Sequence, residues 1–256
     1  MKKISLSILI VAITVALIGG AASVIAANKG TQKAKGAPEF VMELSEKDLT
    51  KIVFIRYAPG FEKEKPCNND GICDADERNW CSDCKSTIEE PTVAPCYDFL
   101  AKSKPRWNWL ENYYYNDSAL GSLSAIAVNT WENVPNTRDI FGNGLFGSYT
   151  WGVYDYNNSV SFANYPEEGV LGVTAIWFRG KNIYEYDIMY DTDYFPTGSF
   201  DLPTAVLHEM GHAAGLGDLY DTTCIDNVMY GYLSPGQVKT TPIGGDIIGL
   251  QTLYGN

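Results

Sequence analysis

The sequence predicts an α+β fold, on three observations. Leu123, Ile126, Ala127 and Trp131 recur at helical spacing within residues 122–134, which reads as a long helix packed on a sheet. Leu171 to Phe178 is strand-like. A turn at Arg179 to Asn182 follows, and then Ile183 to Tyr190 alternates tyrosines with acids, as a half-exposed strand does. A further segment carries both a start and a stop signal for a helix. Asp201 can cap its first turn, Pro203 sits where a missing N–H costs nothing, and Gly215 supplies the left-handed residue that turns the chain back. The roughly 160 residues that hold these elements suffice for a core of their own.

In chain order, Met1-Lys2-Lys3 precedes an apolar run and then Gly19-Gly20-Ala21-Ala22-Ser23. Residues 1–27 thus read as a secretory signal, with a retained membrane anchor as the alternative. Residues 28–66 begin polar and rich in glycine and lysine; within them Lys51 to Gly60 reads as one strand ending in a turn. Residues 67–84 hold four clustered cysteines, Cys67, Cys73, Cys81 and Cys84, in a stretch too short to bury a core. The run resembles small extracellular calcium-binding repeats of the Asp-Gly-Ile-Cys-Asp type. Asn68, Asp70, Asp74, Asp76 and Asp83 offer the oxygen donors that Ca²⁺ prefers. A zinc held by the four cysteines and a plain disulfide loop are the alternatives. Residues 85–95, with Pro91 and Pro95, read as a linker to a domain spanning 96–256. Residues 137–164, rich in glycine, asparagine and aromatics, suit short strands and loops.

Six cysteines in a chain that reads as exported argue for disulfides. If the four clustered ones pair locally, Cys96 and Cys224 remain for each other. The competing expectation is a free Cys96 whose thiolate caps a metal in a latent form. The formal net charge of −12 argues against nucleic acid or anionic membranes as partners; a membrane enters only if the N-terminal segment is retained as an anchor.

The chemistry concentrates in His208-Glu209-Met210-Gly211-His212-Ala213-Ala214-Gly215-Leu216-Gly217-Asp218, which contains the only two histidines of the chain. Four residues are about one helical turn, so both imidazoles leave one face of a helix and can share one metal ion. Glu209 is turned about 100° away, off the ligand face but within reach of water at the metal. This is the H-E-x-x-H arrangement of zinc peptidases, with Glu209 as general base. A catalytic zinc needs a third protein ligand. With no third histidine, Asp218, just beyond the turn at Gly215, is the candidate, and Asp221 is its first replacement.

H-E-x-x-H-x-x-G-x-x-D resembles the metzincin signature, in a variant with aspartate where most members have histidine. Asn227-Val228-Met229-Tyr230-Gly231 resembles the methionine turn that metzincins place beneath the zinc. Residues 245–255 look like the last helix of the matrixin branch, and Gly169-Val170-Leu171-Gly172 like the start of its edge strand. The resemblance implies a zincin-like catalytic domain: a twisted mixed sheet on a long helix, an active-site helix below the cleft and a C-terminal helix. It implies a polypeptide substrate lying extended along the edge strand at Leu171–Phe178. Leu171, Gly172, Tyr230 and Tyr232 are then candidates for the pocket wall. Two features depart from the pattern. No histidines remain for a second, structural zinc, and Gly231 stands where some metzincins have a tyrosine ligand.

The expectation is therefore a secreted zinc endopeptidase. Its rivals are a catalytically silent member of the same fold used for binding, and a calcium-dependent adhesion module with peptidase activity secondary.

Overall fold

The computed structural model describes residues 48–61, 95–196 and 198–255. The N-terminal signal or anchor, the four clustered cysteines, the calcium candidates Asn68, Asp70, Asp74, Asp76 and Asp83, and all of the linker but Pro95 lie outside the described residues.

Six strands form one mixed sheet in the order β1-β5-β6-β4-β2-β3. They are β1 (Thr50–Tyr57), β2 (Glu111–Tyr115), β3 (Phe141–Phe146), β4 (Asn158–Ala163), β5 (Val170–Arg179) and β6 (Asn182–Asp191). β3, β2, β4 and β6 run parallel to one another; β5 is antiparallel to β6, and β1 antiparallel to β5. Among the described residues, three α-helices accompany the sheet: α1 (Ser118–Glu132), α2 (Leu202–Ala213) and α3 (Gly244–Tyr254). Among the described residues, no helix is long and apolar enough to cross a membrane.

The long helix starts four residues earlier than its apolar spacing indicates. Asp117 sets that start by accepting from Ala119 N and Leu120 N, a local capping signal that apolar periodicity does not carry. α1 buries Leu120, Ala127 and Trp131 in the main core, between the sheet and α2. Trp131 donates from its indole to the Leu207 carbonyl at 2.8 Å, which ties α1 to the middle of α2. α2 begins at the expected cap, Asp201 accepting from Thr204 N, and the chain turns back just past its end at Gly215, whose φ is +106°. The last carbonyls of α2 lack helical donors; those of Ala213 and Ala214 accept from the Trp107 indole and the Tyr254 hydroxyl. α2 is therefore buried along nearly its whole length, with its end anchored by side chains from distant segments.

Two strand expectations are corrected. β6 is not half-exposed: eight of the ten residues in its burial pattern are fully buried. Ile183, Tyr186, Ile188 and Tyr190 enter the main core. On the other face, the loop around residues 149–157 folds down over the acids. Glu185 accepts from Asp155 N and Tyr156 N, and Asp187 from Gly152 N and the Ser159 hydroxyl. The alternation in the sequence registers polarity, and here backbone donors, rather than water, meet that polarity. The second correction concerns β5. It is not an edge strand, because the strand expected at Lys51 to Gly60 forms β1 and pairs with it from Thr50↔Phe178 to Tyr57↔Val170.

Cys96 and Cys224 form a disulfide, so Cys96 is not a free thiol. The bond ties the start of this region to the loop that follows Asp218.

Burial raises the carboxyl of Glu185 to about 8, that of Asp187 to about 7 and that of Glu111 to about 8. Between the ordinary carboxylate range and these values the folded chain holds more protons than the unfolded one, so stability falls as pH rises through that window. The thermal unfolding midpoint should be higher near pH 5.5 than near pH 8, and Glu185→Gln should shrink the difference. A midpoint that rises with pH across this range would contradict the assignment.

Candidate metal centre

α2 presents His208 and His212 from one face, with ring centroids 4.7 Å apart and both side chains buried. The reversal at Gly215 brings Asp218 back to them. Asp218 Oδ1 lies 3.1 Å from His208 Nε2 and 3.5 Å from His212 Nε2. Among the described residues these three form the one group of side chains that could hold a metal ion, with donor atoms within 4.8 Å of each other. Asp221, the alternative third residue, caps the short 3₁₀ turn at Thr222–Cys224 instead, accepting from Thr223 N.

The tautomers follow from the backbone. His208 Nδ1 is 2.8 Å from the Val228 carbonyl, and His212 Nδ1 is 2.9 Å from the Leu216 carbonyl. A carbonyl only accepts, so each Nδ1 carries the proton and each neutral ring turns a lone pair outward from Nε2. Those lone pairs meet the carboxylate oxygen of Asp218. His208 Nε2 and Asp218 Oδ1 have no hydrogen-bond partner although both are buried. Three acceptors facing one another out of water repel unless a cation lies among them, which is what a metal ion supplies. Without a metal, a proton serves. Burial opposes charge on His212, but the Asp218 carboxylate outweighs it and holds the imidazole above its ordinary value. The donors thus fit a metal, and its binding displaces that proton.

The surroundings fix these three residues. Asp218 Oδ2 accepts from the Tyr220 hydroxyl at 3.0 Å, leaving Oδ1 to the histidines. Val228, whose carbonyl orients His208, and Met229 both donate their N–H to Asp246 in the first turn of α3. Met229 is buried beneath α2, where a Cβ at Gly211 would run into its sulfur and into the Trp131 ring. Glycine at 211 is what allows Met229 to lie this close.

Glu209 points the other way round α2, toward β5. Its Oε2 accepts from the Thr174 hydroxyl at 2.5 Å, and a Cβ at Gly172 would lie 3.4 Å from its Oε1. Oε1 itself has no partner. Burial raises this carboxyl above its ordinary value, while His212, Arg56 and the Thr174 hydroxyl oppose the rise. A carboxylate with one oxygen fixed and the other bare can take up a proton.

Of the pocket candidates, Gly172 lies against Glu209, while Leu171 is buried in the main core. Tyr232 packs its ring on Tyr220 and on Tyr230. Sequence reasoning missed Thr174, Tyr220, Asp246, Phe54 and Arg56. A first-turn acid in the last helix was the only available signal for Asp246; the others depend on strand pairing and loop closure.

No family model matches the chain. A stretch of 97 residues, 35% of this chain, is 32% identical to metalloendoproteinase 4-MMP of Arabidopsis thaliana. A stretch of 99 residues is 33% identical to metalloendoproteinase 2-MMP of the same plant. The likeness is to matrixins. The chain spans about a quarter of the length of these curated relatives, 27% and 25%.

If Asp218 completes the site, titration with Co²⁺ should give the visible absorption of a tetrahedral ion at one equivalent. Asp218→Ala should weaken binding by tenfold or more, and Asp221→Ala should leave it unchanged. The reverse ranking would move the third ligand to Asp221.

Proposed function

We propose that this chain is a secreted zinc-dependent endopeptidase that hydrolyses polypeptides with water activated by Glu209. The observation that carries the reading is the convergence of two imidazole lone pairs and one carboxylate oxygen, all buried, beside a glutamate on the same helix. A tetrahedral zinc with bonds of about 2.0–2.1 Å spaces its ligands about 3.3 Å apart. The separations of 3.1 Å and 3.5 Å from Asp218 Oδ1 to the two histidines bracket that value. Two nitrogens and one oxygen suit zinc better than the all-oxygen shells of calcium or magnesium. The relatives' names describe metalloendoproteinases, which agrees with this chemistry. A disulfide between Cys96 and Cys224 favours an oxidising compartment and so export.

His208 Nε2, His212 Nε2 and Asp218 Oδ1 would hold the ion. When bound, zinc would supply Lewis acidity toward water and the scissile carbonyl. Glu209 Oε1 takes the proton from the attacking water, and the carboxyl then delivers it to the leaving amine. Thr174 keeps the other carboxylate oxygen occupied, so the glutamate meets the water through a single atom. The raised affinity of Glu209 for a proton favours that uptake. Gly172 keeps the space beside Oε1 clear of a side chain.

Glu209→Gln should lose the 10²–10⁴-fold typical of general-base removal, or more, while keeping one zinc per chain. Casein hydrolysis and metal content, read on the same preparation, test it. Retained hydrolysis with zinc bound would remove Glu209 from the mechanism. Hydrolysis unaffected by a chelator would remove the metal.

A further inference from the structure

β1 lies where an extended peptide would lie. It is one of the two outermost strands of the sheet and pairs antiparallel with β5, the strand that passes Glu209. Adding a strand to a sheet edge is a general way of holding a peptide by its main chain. The inward side chains of β1 reach the metal-binding residues. Phe54 stacks on the His212 ring at 4.0 Å and 15°. Arg56 is the one residue of β1 that is fully buried, at 2% exposure.

Arginine is an unusual residue to bury, since its charge and its five N–H donors all need compensation. Arg56 sits opposite Gly172, directly before a register shift that leaves Leu171 of β5 without a β1 partner. Such bulges re-aim side chains near functional sites. Nη2 is 3.5 Å from the Tyr232 carbonyl, while Nε and Nη1 have no partner. The buried Glu209 Oε1 and Tyr190 hydroxyl likewise have none. Glu209 and Asp218 are the negative charges that act most strongly on the guanidinium. A strand serving only to complete the sheet would meet this wall with leucine or valine at less cost. The guanidinium here instead lies under the negative charges of Glu209 and Asp218 and against the Tyr232 carbonyl, surroundings that favour a cation.

We propose that the pocket filled by Arg56 is a substrate subsite for an arginine side chain, and that β1 is a resident mimic of the substrate that binds there. The inference rests on the peptidase reading for the word substrate. The chemistry of the pocket stands apart from it. Peptides compete with β1 for this place, and an arginine peptide competes best.

The test uses the full chain carrying Arg56→Ala, which vacates the pocket. One arm digests a denatured protein mixture and maps the cleavage sites by mass spectrometry. Arginine should be enriched tenfold or more over leucine at one fixed position from the scissile bond. Leucine, phenylalanine or no preference at every position would overturn the proposal. The second arm needs no turnover. It adds Glu209→Gln to the same chain and measures binding of a fluorescent peptide with the sequence of residues 50–57 and of its arginine-to-leucine version. At least tenfold tighter binding of the arginine peptide supports the subsite; equal binding, or none of either, overturns it. Arginine-selective binding without hydrolysis by the Glu209-intact chain would sink the peptidase reading and leave the subsite. If Arg56→Ala does not fold, the cleavage sites of the unaltered chain carry the same readout.

Discussion

The structure depends on three bare acceptors brought together out of water: Nε2 of His208, Nε2 of His212 and Oδ1 of Asp218. Nothing in a hydrophobic core favours this arrangement, and each pairwise approach is repulsive without a cation between the atoms. Much of the neighbouring architecture acts to hold it. The Val228 and Leu216 carbonyls orient the imidazoles, and the Tyr220 hydroxyl takes the second oxygen of Asp218. Asp246 in turn fixes the backbone that supplies the Val228 carbonyl. Each of these partners lies outside α2, so the helix provides the face and the remainder of the domain provides the aim.

That aim requires a rigid, buried helix, which the core supplies. Trp131 locks α2 to α1, Trp107 and Tyr254 close its C-terminal end, and Met229 fills the space under Gly211. The sheet contributes Thr174 and Gly172, which set Glu209 with one oxygen held and the other buried without a hydrogen-bond partner. The acids of β6 do their work on the far face, pinning the loop around residues 149–157. β1 then pairs along β5 and brings Phe54 and Arg56 to the same centre.

The helical parts were legible in the sequence because their signals are local. The Asp201 cap, the first-turn proline and Gly215 bracket α2, and the spacing of His208, Glu209 and His212 determines which side chains share a face. Asp218 could be named because a glycine reversal allows only a short reach. What stayed hidden depends on contacts distant in sequence. Lys51 to Gly60 reads as a strand, but nothing local says that it pairs with β5 and removes that strand from the edge. The acids of β6 look solvated until a loop some thirty residues away is seen to donate to them. Arg56 has no motif at all; only the register opposite Gly172 brings it close to Glu209 and Asp218.

The central claim is that both histidines offer Nε2, with Nδ1 protonated against the backbone, to one metal shared with Asp218. The chain has only two histidines, so a ¹⁵N NMR spectrum of the imidazoles is unambiguous. On addition of one equivalent of Zn²⁺, both rings should show protonated Nδ1 and metal-shifted Nε2, with release of any proton shared between His212 and Asp218. A ring that keeps a proton on Nε2, or binds the metal through Nδ1, would contradict the account.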